Sequence, residues 1–167
     1  MYPAPGTTRT ARTNRSTRPT ALAAATALLA GLTLWTLAPG TARAASVVLE
    51  AESAALTGGA APAADHSGYT GTGFVGGFTD GNRGTAKTSF TVRADTAGTA
   101  TLAIRYANGT GSAKTLTLLV NGASAGQVTL PATANWDSWA TVQQSVTLNS
   151  GANTVALKFS TADSGNA

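Results

Sequence analysis

The chain of 167 residues contains no cysteine and a single histidine, His66. Without cysteine there are no disulfide bonds, so a folded domain must be held by core burial, with a bound metal as one possible aid. A single histidine excludes a zinc site built from several histidines. Charged residues make up only 11% of the chain, and no convincing apolar stripe of period 3.6 follows residue 44. These absences favour a β-protein over a helical or disordered one.

The first 44 residues are typical of a secretory signal peptide. Arginines precede an uncharged run, ALAAATALLAGLTLWTL, at residues 21–37, and Pro39-Gly40 and the small-residue motif Ala42-Arg43-Ala44 follow it. The alternative, a transmembrane anchor, is disfavoured because the run is rich in Ala and Thr and slightly short for a span. We predict cleavage after Ala44 and a secreted, extracellular protein.

Net charge argues against a nucleic-acid partner once this leader is set aside. The whole chain is +4, but five of its eleven basic residues precede residue 45, which leaves six basic against seven acidic residues and a net charge of −1. The basic footprint that nucleic-acid binding needs is therefore missing from residues 45–167. These 123 residues suffice for one domain with one core, which we expect to be monomeric and to have no membrane partner.

Apolar and polar residues alternate along several short runs. The run 100–106, ATLAIRY, places its larger apolar residues on one face and Thr101, Ala103 and Arg105 on the other. A period of two predicts half-buried β-strands. The same alternation occurs at residues 89–92, 144–148 and 154–159.

Turn-forming residues separate these runs. Asn121-Gly122, between TLTLLV and AGQVTL, is the strongest hairpin signal because both residues tolerate positive φ. Short strands at this spacing, about eight in number, are typical of a sandwich. The predicted fold is all-β, an antiparallel jelly-roll-like β-sandwich spanning residues 45–167.

The stretch HSGYTGTGFVGGF at residues 66–78 is rich in glycine and aromatic residues. A phosphate-binding loop is disfavoured, because no Gly-Lys-Ser/Thr and no helix follow it. Phe74 and Phe78 are expected to fill the core. Tyr69, between Gly68 and Gly71, is then the aromatic residue expected to be exposed. The neighbours Asp65, His66 and Ser67 cannot form a catalytic triad, since residues adjacent in sequence cannot line up as Ser–His–Asp in space.

Glu50 and Glu52 are two residues apart, so on a strand their carboxylates would point to one face. A glycosidase pair is disfavoured, because such carboxylates usually come from separate elements across a cleft. A calcium site completed by loop carbonyls and a solvated strand edge remain equal alternatives on spacing alone.

Trp136 and Trp139 are the two tryptophans that follow the leader. Trp139 adjoins a predicted strand and is the better candidate for the core, because so large an apolar group is rarely left in water. Trp136, between Asn135 and Asp137, is the better candidate for an exposed platform on which the apolar face of a sugar could stack.

Five blocks, in this order, resemble a family 35 carbohydrate-binding module, of the clan that includes family 6. The resemblance implies a β-sandwich with a structural calcium and a ligand site in the loops at one end, in a non-catalytic module that binds polysaccharide or oligosaccharide. It also implies an attached or partner glycoside hydrolase or polysaccharide lyase. The blocks are LEAESAALTGGA, HSGYTGTGFVGGF, IRYANGTGSAKTLTLLVNG, WDSWATVQQSVTLNSGANTVALKF and DSGN.

The same resemblance implies roles for individual residues. Glu50 and Glu52 would be calcium ligands, and Tyr69 and Trp136 would be the aromatic walls of the sugar site. Polar contacts with the sugar would come from Arg105 and Asn108, with Asn166 beside the cleft.

The sequence departs from the family at its end. Members continue past DSGN into a last strand that brings an Asp to the calcium, whereas this chain stops at Ala167. We expect a fragment of a longer protein, whose missing strand leaves a neighbouring strand edge unpaired. The alternatives are a glycoside hydrolase fragment with its activity elsewhere, an enzyme that uses Glu50 and Glu52, and a structural or adhesive sandwich without a sugar site.

Overall fold

The protein is described by a computed structural model that covers residues 31–36 and 46–165, with side chains for residues 46–165. Eleven strands and two 3₁₀ turns make up the described elements. The strands are β1 (Gly31–Thr36), β2 (Val47–Glu50), β3 (Ala55–Thr57), β4 (Ala61–Ala63), β5 (Phe74–Gly76), β6 (Lys87–Ala94), β7 (Gly98–Ala107), β8 (Lys114–Val120), β9 (Ala123–Leu130), β10 (Trp139–Leu148) and β11 (Gly151–Lys158).

Two sheets face each other and a small third sheet flanks them. The first has the order β10-β7-β1-β2 and the second the order β3-β6-β11-β8-β9, while β4 and β5 form a two-stranded sheet. The printed strand pairs are all antiparallel. The prediction of an all-β antiparallel sandwich is confirmed. No helix among the described residues has the length and apolarity of a membrane span.

The alternating runs place the core where periodicity predicted it. On β7, Leu102, Ile104 and Tyr106 are buried, and Arg105 lies on the opposite face. Leu118, Val128 and Phe159 face them from the second sheet and its flank. Burial of such residues is the main favourable contribution to folding, at roughly 25 cal/mol per Å² of apolar surface.

The hairpin prediction at Asn121-Gly122 is also confirmed. The pair joins β8 to β9, with Val120 opposite Ala123, and both turn residues have positive φ, 51° and 82°. This is the backbone that a two-residue turn needs to match the twist of its strands. The Asn121 side chain is bound to the next layer through Asn153 Oδ1 (2.9 Å) and the Thr154 N–H (2.9 Å).

Two strands of the first sheet were not expected as they stand. β1 belongs to the predicted leader, and it lies between β2 and β7. The predicted strand at Glu50-Ala51-Glu52 is wrong beyond Glu50, because β2 ends there and Ala51–Ser53 forms a 3₁₀ turn. The predicted cleavage point after Ala44 lies outside the described residues.

Candidate functional site

The glycine-rich loop, residues 65–73, lies across one end of the sandwich. It joins β4 to β5 and borders a cleft of about 400 Å³. Glu50 and Glu52 line one part of the cleft, and Tyr69, Trp136 and Trp139 line another. The loop therefore has a carboxylate end, near Gly71, and an aromatic end, near Gly68.

At the carboxylate end, two acidic side chains converge on the backbone of Gly71. A Cβ atom placed on Gly71 would lie 2.5 Å from Glu52 Oε1 and 2.8 Å from Glu50 Oε1. Gly71 has φ of +70°, so both its conformation and its surroundings favour glycine. The carboxylates converge as predicted, but through the 3₁₀ turn rather than through the alternation of a strand.

Glu52 holds the loop and keeps one oxygen in reserve. Its Oε1 accepts hydrogen bonds from the Thr72 N–H (2.9 Å) and the Thr72 hydroxyl (3.3 Å). Its Oε2 is buried and has no hydrogen-bond partner among the described residues. Glu50 beside it is 4% exposed. An unsatisfied carboxylate oxygen next to a second buried carboxylate is suited to a hard cation that prefers oxygen ligands.

This donor set is incomplete by itself. Within residues 46–165, no group of three or more His, Cys, Asp or Glu side chains is placed to hold a metal ion. Calcium takes six to eight oxygen ligands, and backbone carbonyls commonly supply several of them. The residues present thus fit a cation that two carboxylates and loop carbonyls share.

At the aromatic end, five rings form a continuous cluster with Phe74 at its centre. Phe74 lies 6.0 Å from Tyr69, 6.0 Å from His66 and 5.8 Å from Trp139 between ring centroids. His66 in turn stacks on Trp136 at 6.1 Å and an interplanar angle of 25°. Such ring geometries add about 0.5–1.5 kcal/mol per pair beyond simple burial.

Trp139 was expected in the core, and this prediction is wrong. It is half-buried at the start of β10, where its indole N–H donates to the Ser67 carbonyl (2.8 Å). The Arg105 guanidinium lies over its ring, 4.7 Å from the centroid. Phe74, also expected in the core, is only half-buried, whereas Phe78 is buried in the core as predicted. Trp139 is the floor on which the loop rests.

Hydrogen bonds tie the loop to the segment around Trp136. Asp137 Oδ1 accepts from the Ser67 N–H (2.6 Å) and from the Ser67 hydroxyl (3.0 Å). These bonds, with a smaller contribution from His66 at 3.8 Å, lower the pKa of Asp137 below its ordinary value of 3.8. Arg105 completes the attachment by donating to the Gly68 carbonyl (2.6 Å).

Asn108 does not have the position that the family resemblance implied. Its side chain is fully buried: its amide N–H groups donate to the carbonyls of Ser112 and Leu130 (2.9 Å each), and its Oδ1 accepts from Thr110. It has no exposed surface or spare donor for a sugar. It fixes the loop that carries Gly109, against which the Trp136 ring packs: a Cβ on Gly109 would lie 2.7 Å from Trp136 Cδ1. Asn108 thus positions the platform.

The other predicted site residues are distributed unevenly. Tyr69, Arg105 and Trp136 line the cleft together with Glu50 and Glu52. Asn166 lies outside the described residues. Sequence reasoning missed His66, Phe74 and Asp137 as members of the site. Only the position of Asp137 next to Trp136 could have signalled one of them.

Comparison with known proteins identifies related domains. The family model for carbohydrate binding module (family 35) matches residues 47–162. The chain is 46% identical over 119 residues to a 1,6-alpha-glucosyltransferase of Sporosarcina globispora, covering 70% of this chain and 9% of that enzyme. The chain spans 8–16% of the curated relatives it matches.

Solved structures show the same relationship. A family 35 carbohydrate binding module from Clostridium thermocellum has 26% identity and a TM-score of 0.63, covering 72% of this chain and 86% of that one. A cycloisomaltooligosaccharide glucanotransferase of Paenibacillus sp., complexed with cycloisomaltoheptaose, has 34% identity and a TM-score of 0.64, covering 70% of this chain and 16% of that one.

Proposed function

The chain belongs to the family 35 carbohydrate-binding modules, and on this premise we propose that it binds polysaccharide in the cleft beneath the glycine-rich loop. The observation that carries the proposal is that two half-buried rings, Tyr69 and Trp136, line one cleft with polar side chains close by. Sugars present apolar faces that stack on such rings, and their hydroxyls bond to nearby polar groups. Binding is non-catalytic in this proposal.

Each side chain of the cleft has a distinct task in this mechanism. Trp136, set by Gly109 and stacked by His66, offers the larger stacking surface. Tyr69 offers a second face from the loop. Asp137, with a side chain 51% exposed and a lowered pKa, stays ionised and can accept hydrogen bonds from sugar hydroxyls. Affinity per site is modest, because so small a cleft stays partly wet.

A structural calcium ion is the second part of the proposal. Glu50 and Glu52 would hold it, and bound calcium would neutralise two carboxylates that otherwise crowd the Gly71 backbone. The buried, unpartnered Glu52 Oε2 supports this assignment. The burial of Glu50 and the contact of both carboxylates with Gly71 weigh against a glycosidase pair, which must flank a scissile bond.

α-Glucans are the carbohydrate class that the relatives favour. The Sporosarcina relative is named for transfer of 1,6-α-glucosyl units, and the Paenibacillus relative was solved with cycloisomaltoheptaose. Because this chain spans a small fraction of such enzymes, we further propose that it serves as a targeting module of a secreted carbohydrate-active enzyme. The leader-like residues 1–44 support export.

Affinity electrophoresis tests the binding site. The chain is run through gels containing an α-1,6-glucan, xylan, mannan or a uronic-acid polymer, and retardation by one class, strongest for the α-glucan, is expected. Trp136→Ala should abolish retardation while the chain stays folded by circular dichroism. Trp139→Ala should mainly lower thermal stability, since it removes the floor of the loop.

Two results would contradict the proposal. Normal retardation of a folded Trp136→Ala chain would show that the platform is elsewhere. A folded wild-type chain that none of the gels retards would favour a structural or adhesive sandwich. Turnover of an aryl glucoside that disappears in Glu50→Gln would instead favour an enzyme.

A further inference from the structure

β2 is joined to the rest of its sheet by one neighbour. Among the described residues, β2 pairs with β1 alone, and β1 pairs on its other side with β7. β1 is antiparallel to both neighbours, so β2 and β7 run parallel to each other with one strand between them. Without that strand, backbone groups on both facing edges would lose their ladder partners.

The intervening strand comes from the predicted leader and has the pattern that the position requires. In GLTLWT, Leu32 and Leu34 are the register partners of Ile104 and Leu102, both of which are buried in the core. Thr33 and Trp35 are opposite Ala103 and Thr101, which lie on the other face of β7. Period-two alternation is therefore in phase with the sheet, and a slip of one residue would reverse it.

We propose that the slot between β2 and β7 is a strand-binding site, and that the leader segment Gly31–Thr36 is its occupant in the uncleaved chain. The ligand class is an extended peptide of about six residues with apolar residues at alternate positions, paired by main-chain hydrogen bonds as in β-strand addition. Cleavage after Ala44 would make this pairing noncovalent and leave the slot open when the leader departs.

The slot also bears on the carboxylate end of the cleft. Glu50 is the last residue of β2 and the register partner of Gly31. The occupied slot thus fixes the backbone from which the Glu50 side chain reaches Gly71. An empty slot would leave β2 attached only through its chain ends, so Glu50 and the loop above it would lose a fixed support.

The test uses the full chain, purified without export, with a protease site replacing residues 38–44. After cutting, the N-terminal fragment should co-elute with the domain in size-exclusion chromatography. Amide hydrogen exchange of Val47–Glu50 should remain slow. Leu32→Pro with Leu34→Pro should release the fragment and accelerate that exchange by about tenfold or more, because proline cannot donate to a central ladder.

A matched control carries the same two prolines at Thr7 and Thr10, outside the strand, and should behave as wild type. The proposal is overturned if the cut fragment elutes separately while exchange of Val47–Glu50 stays slow, or if the strand prolines change neither measurement. Both measurements concern the sheet alone, so they succeed or fail independently of carbohydrate binding.

Discussion

The two ends of the glycine-rich loop are attached by different chemistry. At the carboxylate end, Gly71 lies against two acidic side chains, of which Glu50 is buried. At the aromatic end, Gly68 lies against half-buried Trp139 and the Asp137 carbonyl, with Arg105 bound to its own carbonyl. The first attachment is buried and charged, and the second is partly exposed and shared among several weak contacts.

This difference predicts unequal sensitivity. Buried charges interact strongly and are costly to leave uncompensated, whereas exposed polar contacts are screened by water. Changes near Glu52 should therefore alter the stability of the whole domain. Changes near Arg105 and Asp137 should mainly alter the loop.

The largest expected effect is the response to calcium. At a hundredfold excess over Kd, calcium should stabilise the wild-type chain by about 2.7 kcal/mol, and EDTA should reverse this. Glu52→Gln removes the charge at the unpartnered oxygen and should lose the response. Asp137→Asn, the matched change at the aromatic end, should keep it. Thermal unfolding measures both, and an equal response in the two variants would show that the cation binds elsewhere.

The next largest effect is expected for Gly71→Ala. The new Cβ would meet Glu52 Oε1 at 2.5 Å in a backbone with φ of +70°, and overpacking with backbone strain should cost about 2 kcal/mol. Urea unfolding measures the loss. Gly81→Ala is the control, because no atom lies within 4 Å of its Cβ position, and it should change stability by less than about 0.5 kcal/mol. Similar values for the two variants would refute the close contact.

A smaller effect is expected for Arg105→Ala at the aromatic end. It removes the hydrogen bond to Gly68 and the stacking on Trp139, at a cost of about 1 kcal/mol. Retardation by polysaccharide should weaken because the loop that carries Tyr69 is no longer held. Arg93→Ala, at an exposed position of β6, serves as the control and should leave both stability and retardation unchanged.

The smallest effect concerns acidification. Because the folded pKa of Asp137 lies below its ordinary 3.8, the ionised form favours the folded loop. That contribution is present above about pH 4 and is lost as the pH falls through the folded pKa. NMR titration of the Asp137 carboxyl should give a pKa below 3.8, and Ser67→Ala should raise it. An unchanged pKa in Ser67→Ala would exclude the Ser67 bonds as the cause.

The sequence predicted the strands of the sandwich well, because alternation is visible within a few residues. The runs at 100–106 and 144–148 lie within β7 and β10, and the buried face of β7 was identified correctly. The short strands β3, β4 and β5 carry no such signal, since each has only three residues.

The site was predicted less completely. Arg105 and Trp136 were found from parity and position, but Trp139 was assigned to the core because its size alone suggests burial. Its exposure depends on the loop that rests on it, through a hydrogen bond from the indole to Ser67, 72 residues away. Asn108 was similarly misjudged, because a buried amide and an exposed one have the same letter.

The sequence by itself determined the class of fold, the hairpin at Asn121-Gly122 and the pairing in sequence of two acidic residues, because strand period and turn chemistry are local properties. Only the tertiary structure decided that Ser67 meets Asp137 and that Gly71 covers Glu50 and Glu52. These contacts join residues about 20 to 70 positions apart. They form only when the packed sheets bring loops from different strands to one end of the sandwich, which no local pattern encodes.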